Sequence, residues 1–159
     1  MKEVLLEQFS CCYDDSAWFV ALKNALEGVT GEQAAWKPAG VDNSIWENVN
    51  HILFWNERWL QRYRGELNEP QNVENTGTFR SDETDWDATL TKLYAVMDEW
   101  RAKLSDITPE KLTSAVNSKD PSPWWSALAQ QNIHNAYHVG QVVLLRKLQG
   151  SWDAAKGVS

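Results

Sequence analysis

His134-Asn135-Ala136-Tyr137-His138-Val139-Gly140-Gln141 holds two of the chain's three histidines, four residues apart. Four residues on a helix is one turn plus about 40°, so both imidazoles leave the same face about one turn apart. Two ligands on one rigid element can share a metal ion. The surrounding pattern is helical: Ser122-Pro123 offers a cap and a first-turn proline, Gly150 a stop, and His134, His138, Gln141, Leu145 and Leu148 fall on one face. The paired histidines therefore continue a line of core residues on a helix expected over 122–149.

Working back from that helix, the third histidine, His51, lies in Ser44-Ile45-Trp46-Glu47-Asn48-Val49-Asn50-His51. Ser44 with Glu47 three residues on is a capping box, and Gly65 is a stop, so a helix is expected over 44–64. Ile45, Val49, Ile52, Trp59 and Tyr63 form its apolar stripe. On the helical wheel Glu47 lies at about −40° from His51, Trp55 at about +40° and Arg58 at about −20°. His51 thus sits at the edge of the core face, within reach of a pocket mouth.

A third helix is expected from Ser81 or Thr84 to Leu104, buried through Trp86, Leu90, Leu93, Tyr94, Met97, Trp100 and Leu104. A first helix is expected over 2–27, where Val4, Leu5, Phe9, Cys12, Ala17, Phe19, Val20, Leu22 and Leu26 recur at helical intervals before Gly28. Between these lie 28–43, with a short turn at Thr30-Gly31-Glu32-Gln33 and an extended Trp36-Lys37-Pro38, and a polar loop over 65–83 with Pro70 and Gly77. A loop that long is commonly functional or mobile. Thr108-Pro109-Glu110 starts a short helix, and 113–121 reads as loop. Four helices of about 30–40 Å each suit an all-α four-helix bundle, and 65–83 permits a crossover connection.

The 159-residue chain is expected to form one domain over 1–159, large enough to bury a core without disulfides. Its net charge is −7, with no basic cluster, which disfavours nucleic acid as a partner. No apolar run approaches the ~20 residues of a membrane span, and the acidic N-terminus lacks a signal-peptide core, so a cytoplasmic protein with no membrane partner is expected. The ten tryptophans are spread along the chain and read as helix-packing side chains. Cys11 and Cys12 are neighbours that diverge by about 100° on a helix, so one is expected buried and the other partly exposed, without a disulfide between them.

Three histidines leaving one open position are one form of catalytic metal site, and imidazole suits Zn, Ni, Cu and Fe alike. The alternative is three independent histidines, each a satisfied core or surface group. Glu47 reads first as a helix cap and second as a proton acceptor beside His51. Tyr137 is offset from the paired histidines and reads as core. Gln141 is a candidate hydrogen-bond partner near the metal, and Arg58 a candidate anchor for an anionic substrate.

Three passages resemble the DinB/YfiT-like family of metal-binding four-helix bundles. Thr30-Gly31-Glu32-Gln33-Ala34-Ala35-Trp36-Lys37-Pro38 is similar to the family's connection after its first helix. The segment 44–51 is similar to that carrying its first ligand histidine, and 134–141 to its last-helix motif. The resemblance implies a crossover bundle, a divalent metal, most simply Zn or Ni, on His51, His134 and His138, and a homodimer. It also implies a low-molecular-weight-thiol S-transferase acting on electrophilic small molecules in stress or detoxification. Some relatives use bacillithiol, others mycothiol or glutathione. A metal-dependent hydrolase and a non-catalytic metal-binding stress protein are the alternatives.

Overall fold

The computed structural model describes residues 1–68, 73–80, 82 and 84–156. Among these the chain is helical, with one isolated antiparallel bridge between Ala115 and Pro123. Seven α-helices occur in order among the described residues: α1 (Lys2–Tyr13), α2 (Leu22–Leu26), α3 (Gly31–Ala35), α4 (Ile45–Arg64), α5 (Trp86–Asp106), α6 (Pro109–Thr113) and α7 (Trp124–Leu148). A 3-10 turn spans Asn75–Phe79. None of the described helices is long and apolar enough to cross a membrane.

The start of α4 is the capping box expected: the Glu47 N–H donates to the Ser44 hydroxyl at 3.2 Å, and the Ser44 N–H donates to the Glu47 carboxylate at 2.7 Å. Gly65, at φ +79°, takes the left-handed conformation that stops the helix. Thr108 caps α6 with Pro109 behind it, and Thr30 and Gln33 form a second capping box on α3. For α5 the cap is Asp85, whose carboxylate accepts from the Asp87 N–H. Ser81, the earlier candidate start, and Pro70 lie outside the described residues.

α1, α4, α5 and α7 form the four-helix framework. α4 and α1 each pack against both α5 and α7. Trp46 of α4 meets Thr89 and Trp86 of α5, and further along Asn56 meets Trp100, so α4 and α5 run parallel. Parallel neighbours need a connection that returns the length of a helix, about 30 Å for twenty residues, and residues 65–85 make that crossover. Against α7 the order reverses: Asn48 meets His138, Asn56 meets Asn135 and Gln131, and Trp59 meets Trp124. The interior holds Phe9, Ile45, Val49, Ile52, Leu93, Met97, Trp100, Trp124 and Val142. Each such side chain contributes about 1.5–3 kcal/mol by leaving water.

Several sequence expectations change. The first helix is broken: α1 ends at Tyr13, and 14–21 connect it to α2. Tyr13 donates from its hydroxyl to Asp98 at 2.8 Å, and Asp14 pairs with Arg101, so the end of α1 is tied to α5. Ser16 then accepts from the Ala21 N–H at 3.1 Å, a side-chain bond that competes with continued helix. Trp18 is 94% exposed and does not pack between helices. Ser122 does not cap α7; Pro123 occupies that position, and the Ser122 carbonyl accepts from Val116 in the bridge. Tyr137 and Leu148 face solvent rather than the core. Cys12 is buried, its thiol pushed up to about 12 by burial, and Cys11 is half-buried, as expected.

The α4–α7 register is set by an amide cluster. Asn56 donates to Asn135 Oδ1 at 2.8 Å and accepts from Asn135 Nδ2 at 3.2 Å and from Gln131 at 2.5 Å. Asn56 and Asn135 are fully buried. Replacing Asn56 by Leu should therefore lower the unfolding free energy by about 1–3 kcal/mol for each polar partner left unpaired. Urea unfolding measures this. A loss below about 0.5 kcal/mol, the scale of neutral surface changes, would show that the amides do not hold the two helices.

Candidate metal centre

With α4 and α7 antiparallel and in this register, the core-edge histidine of one meets the histidine pair of the other. His51 Nε2 lies 2.9 Å from His134 Nε2. The ring centroids form a triangle of 5.0 Å (His51–His134), 4.5 Å (His51–His138) and 4.6 Å (His134–His138). These three side chains could hold a metal ion, one ligand nitrogen each.

The outer ring nitrogens decide which inner ones carry lone pairs. The Thr78 hydroxyl donates its one proton to the Asn75 carbonyl at 2.6 Å, so towards His51 Nδ1, also at 2.6 Å, it can only accept. His51 is therefore protonated on Nδ1 and bare on Nε2. Asn48 donates from Nδ2 to the Ser44 carbonyl at 2.8 Å, which turns its Oδ1 to His138 Nδ1 at 3.1 Å. Gln141 Oε1 lies 2.7 Å from the same nitrogen. Two acceptors there place the proton on Nδ1 and leave the Nε2 of His138 bare. The arrangement fits a divalent cation. A tetrahedron drawn with metal–nitrogen bonds of about 2.0–2.1 Å has an edge of about 3.3 Å, so the 2.9 Å spacing needs to open only slightly.

Burial favours the neutral, ligating form. It presses His51 down to about 3, with His138 and His134 adding to the effect. Burial and then His138 press His134 down to about 4. His138 is lowered by burial against an opposing pull from Gln141. Phe79 stacks on His51 at 4.1 Å and 14°, and Trp55 meets it edge-on at 6.3 Å, so aromatic rings pack on two sides of this imidazole. On the His134 side lies an open cavity of about 610 Å³, lined in part by Trp55, Trp59, Gln131 and His134.

The other sequence candidates divide. Gln141 is at the centre, on His138. Glu47 lies outside it, held by the cap and by Lys37, whose Nζ is 2.7 Å from its carboxylate. Burial raises the Glu47 carboxyl, but the Lys37 and Ser44 hydrogen bonds outweigh it and keep the group below its ordinary range. Arg58 does not line the cavity; Arg62, one turn on, does. Sequence reading did not single out Asn48, Thr78, Phe79 or Arg62. A buried asparagine inside the apolar stripe of α4 was a signal for Asn48. Nothing local marks Thr78, because the crossover delivers it.

Two outcomes follow from the protonation pattern. Thr78→Val should weaken zinc binding about 10–100-fold in a chelator competition titration, the usual effect of removing the partner that orients a ligand imidazole, and Thr78→Ser should restore it. Unchanged affinity in the valine variant would break the link. In metal-free protein the folded imidazole pKa values lie below the unfolded 6.5, so the unfolded chain binds more protons between the two. The stability is full above about pH 6.5 and falls as pH drops towards about 3. The melting temperature should decline over that window, less steeply in His51→Gln; equal slopes would oppose burial of a neutral His51.

No curated protein and no solved structure matches the chain. A family model described as the DinB superfamily matches residues 17–142, a span that takes in all three histidines, the whole of α4 and α7 as far as Val142. The protein belongs to the DinB superfamily.

Proposed function

We propose that the protein is a divalent-metal-dependent enzyme, and specifically a low-molecular-weight-thiol S-transferase acting on electrophilic small molecules. The observation that carries the reading is three converging imidazoles, two of them locked with Nδ1 outward, beside an open cavity of about 610 Å³. His51, His134 and His138 would hold the ion, Zn or Ni by donor type, with Asn48, Thr78 and Gln141 orienting them. A divalent ion bound there lowers the pKa of a thiol or water offered to its open position. The chain supplies the rest: Phe79 and Trp55 pack on His51, and the cavity beside His134 positions the second reactant.

A cosubstrate of the bacillithiol class suits this cavity in size, since small-molecule sites typically span about 300–1,000 Å³. A homodimer is supported by α7, where Ile133, Tyr137, Leu144 and Leu148 form an exposed apolar stripe around Gly140. A cytoplasmic role in stress or detoxification accords with the chemistry. Hydrolysis is the alternative use of the same ion, with water in the thiol's place.

Elemental analysis of tag-free protein should find about one Zn or Ni per chain, lost in His134→Ala/His138→Ala. Metal-loaded protein should then accelerate conjugation of a small thiol to a chloro-nitroarene or an epoxide, and the double variant should not. Bound metal without conjugation, but with ester or amide hydrolysis, would replace the transferase by the hydrolase. Metal-dependent melting with no turnover would leave a non-catalytic metal-binding protein.

A further inference from the structure

A second cavity, of about 570 Å³, lies where the start of α4 meets the residue that follows the 3-10 turn, and its lining includes Lys37, Glu47, Asn50 and Arg80. It shares no lining residue with the cavity beside His134. Lys37 and Glu47 neutralise one another at 2.7 Å, and Glu47 also accepts from the Ser44 N–H. Two groups in the same lining remain unmatched. Arg80 is exposed, and its guanidinium makes no hydrogen bond or ion pair with the described residues. Asn50 is only 8% exposed, yet its Oδ1 has no donor among the described residues. Asn50 precedes His51 and Arg80 follows Phe79, so both groups sit one residue along the chain from the stacked His51–Phe79 pair.

A buried amide oxygen without a donor is costly, and native proteins leave few such atoms unmatched. The oxygen of Asn50 can only accept, and the guanidinium of Arg80 can only donate. A ligand that satisfies both must be an anion that also carries a proton to give. Inorganic phosphate is such a group. Two of its bare oxygens match the planar fork of arginine through parallel N–H···O bonds. Its P–OH donates to an amide oxygen from the same centre. Sulfate has the same shape but holds no proton near neutral pH, so it would set lone pairs against Asn50 Oδ1. A phosphate monoester loses its last proton at about pH 6, whereas free phosphate keeps one well above that.

We propose that this cavity is a binding site for inorganic phosphate in its hydrogen-phosphate form. Arg80 takes the bare oxygens, and Asn50 accepts from the remaining P–OH. Arg80 supplies the affinity, and Asn50 supplies the choice of a protonated anion over an unprotonated one. The site is separate from the three histidines and stands whether or not the transferase reading does.

The test is calorimetric titration of the zinc-loaded full chain with inorganic phosphate, methyl phosphate and sulfate at about pH 8, where the ester is fully ionised. Wild type, Arg80→Gln and Asn50→Leu are compared. Phosphate should bind wild type at least tenfold more tightly than either other anion, a difference of about 1.4 kcal/mol. Arg80→Gln, at an exposed position, should weaken phosphate at least tenfold. Asn50→Leu should bring phosphate down to the level of sulfate and leave sulfate unchanged, with zinc content and melting temperature as the check on its fold. If that variant does not fold, the wild-type ranking and Arg80→Gln still decide. Equal binding of the three anions would reduce the site to a surface cation and overturn the proposal. So would a phosphate preference that survives in both variants, which places the anion on the zinc. Absence of phosphate binding overturns it as well, leaving Asn50 Oδ1 to water.

Discussion

The amide cluster between α4 and α7 is the constraint on which the rest depends. Asn56 and Asn135 exchange hydrogen bonds in both directions inside the α4–α7 interface, and Gln131 adds a third. Apolar stripes can slide past one another by a turn at modest cost. Buried amides cannot, because a shift leaves several donors and acceptors unpaired at about 1–3 kcal/mol each. Asn56 also gives its carbonyl to Trp100 of α5, so the same residue ties the parallel and the antiparallel neighbour of α4. Register fixed at Asn56 is what brings His51 level with His134 and His138, little more than one turn away along α4.

The candidate metal centre then draws on a part of the chain that the four-helix framework does not need. The crossover between the parallel helices α4 and α5 carries the 3-10 turn at Asn75–Phe79. That turn supplies the Thr78 hydroxyl to His51 Nδ1 and the Phe79 ring to its face. Topology and chemistry are linked here: parallel helices oblige a long connection, and the connection passes the histidines. The opposite histidine, His138, is oriented from within the helices, by Asn48 and Gln141. One imidazole is thus set by the framework and one by the crossover.

Charge is distributed with the same economy. Most acidic groups face solvent, and Glu47, a candidate base by its position in sequence, is spent on its cap and on Lys37. Arg62 and Lys119, from the last turn of α4 and the loop before α7, line the cavity beside His134. Arg146, a second buried cation, is instead structural: it donates to the carbonyls of Ala25, Glu27 and Ser151 and joins α2 to the end of α7.

What the sequence by itself determined is what local geometry encodes. The i, i+4 spacing of His134 and His138 put two imidazoles on one face, the Ser44–Glu47 box and Gly65 bounded α4, and apolar periodicity located α5 and α7. These follow from 3.6 residues per turn and from the unpaired groups at helix ends, which depend on neighbours in sequence. The break after Tyr13 did not follow, because helical periodicity runs through 2–27 and the interruption is held by Asp98 and Arg101, more than eighty residues away. Nor did the choice of Arg62 over Arg58, which share a helix face and are distinguished only by the loop that α7 brings alongside. Thr78 became part of the site through the crossover alone. Tertiary structure decided these points because each depends on groups that meet only after the helices have packed.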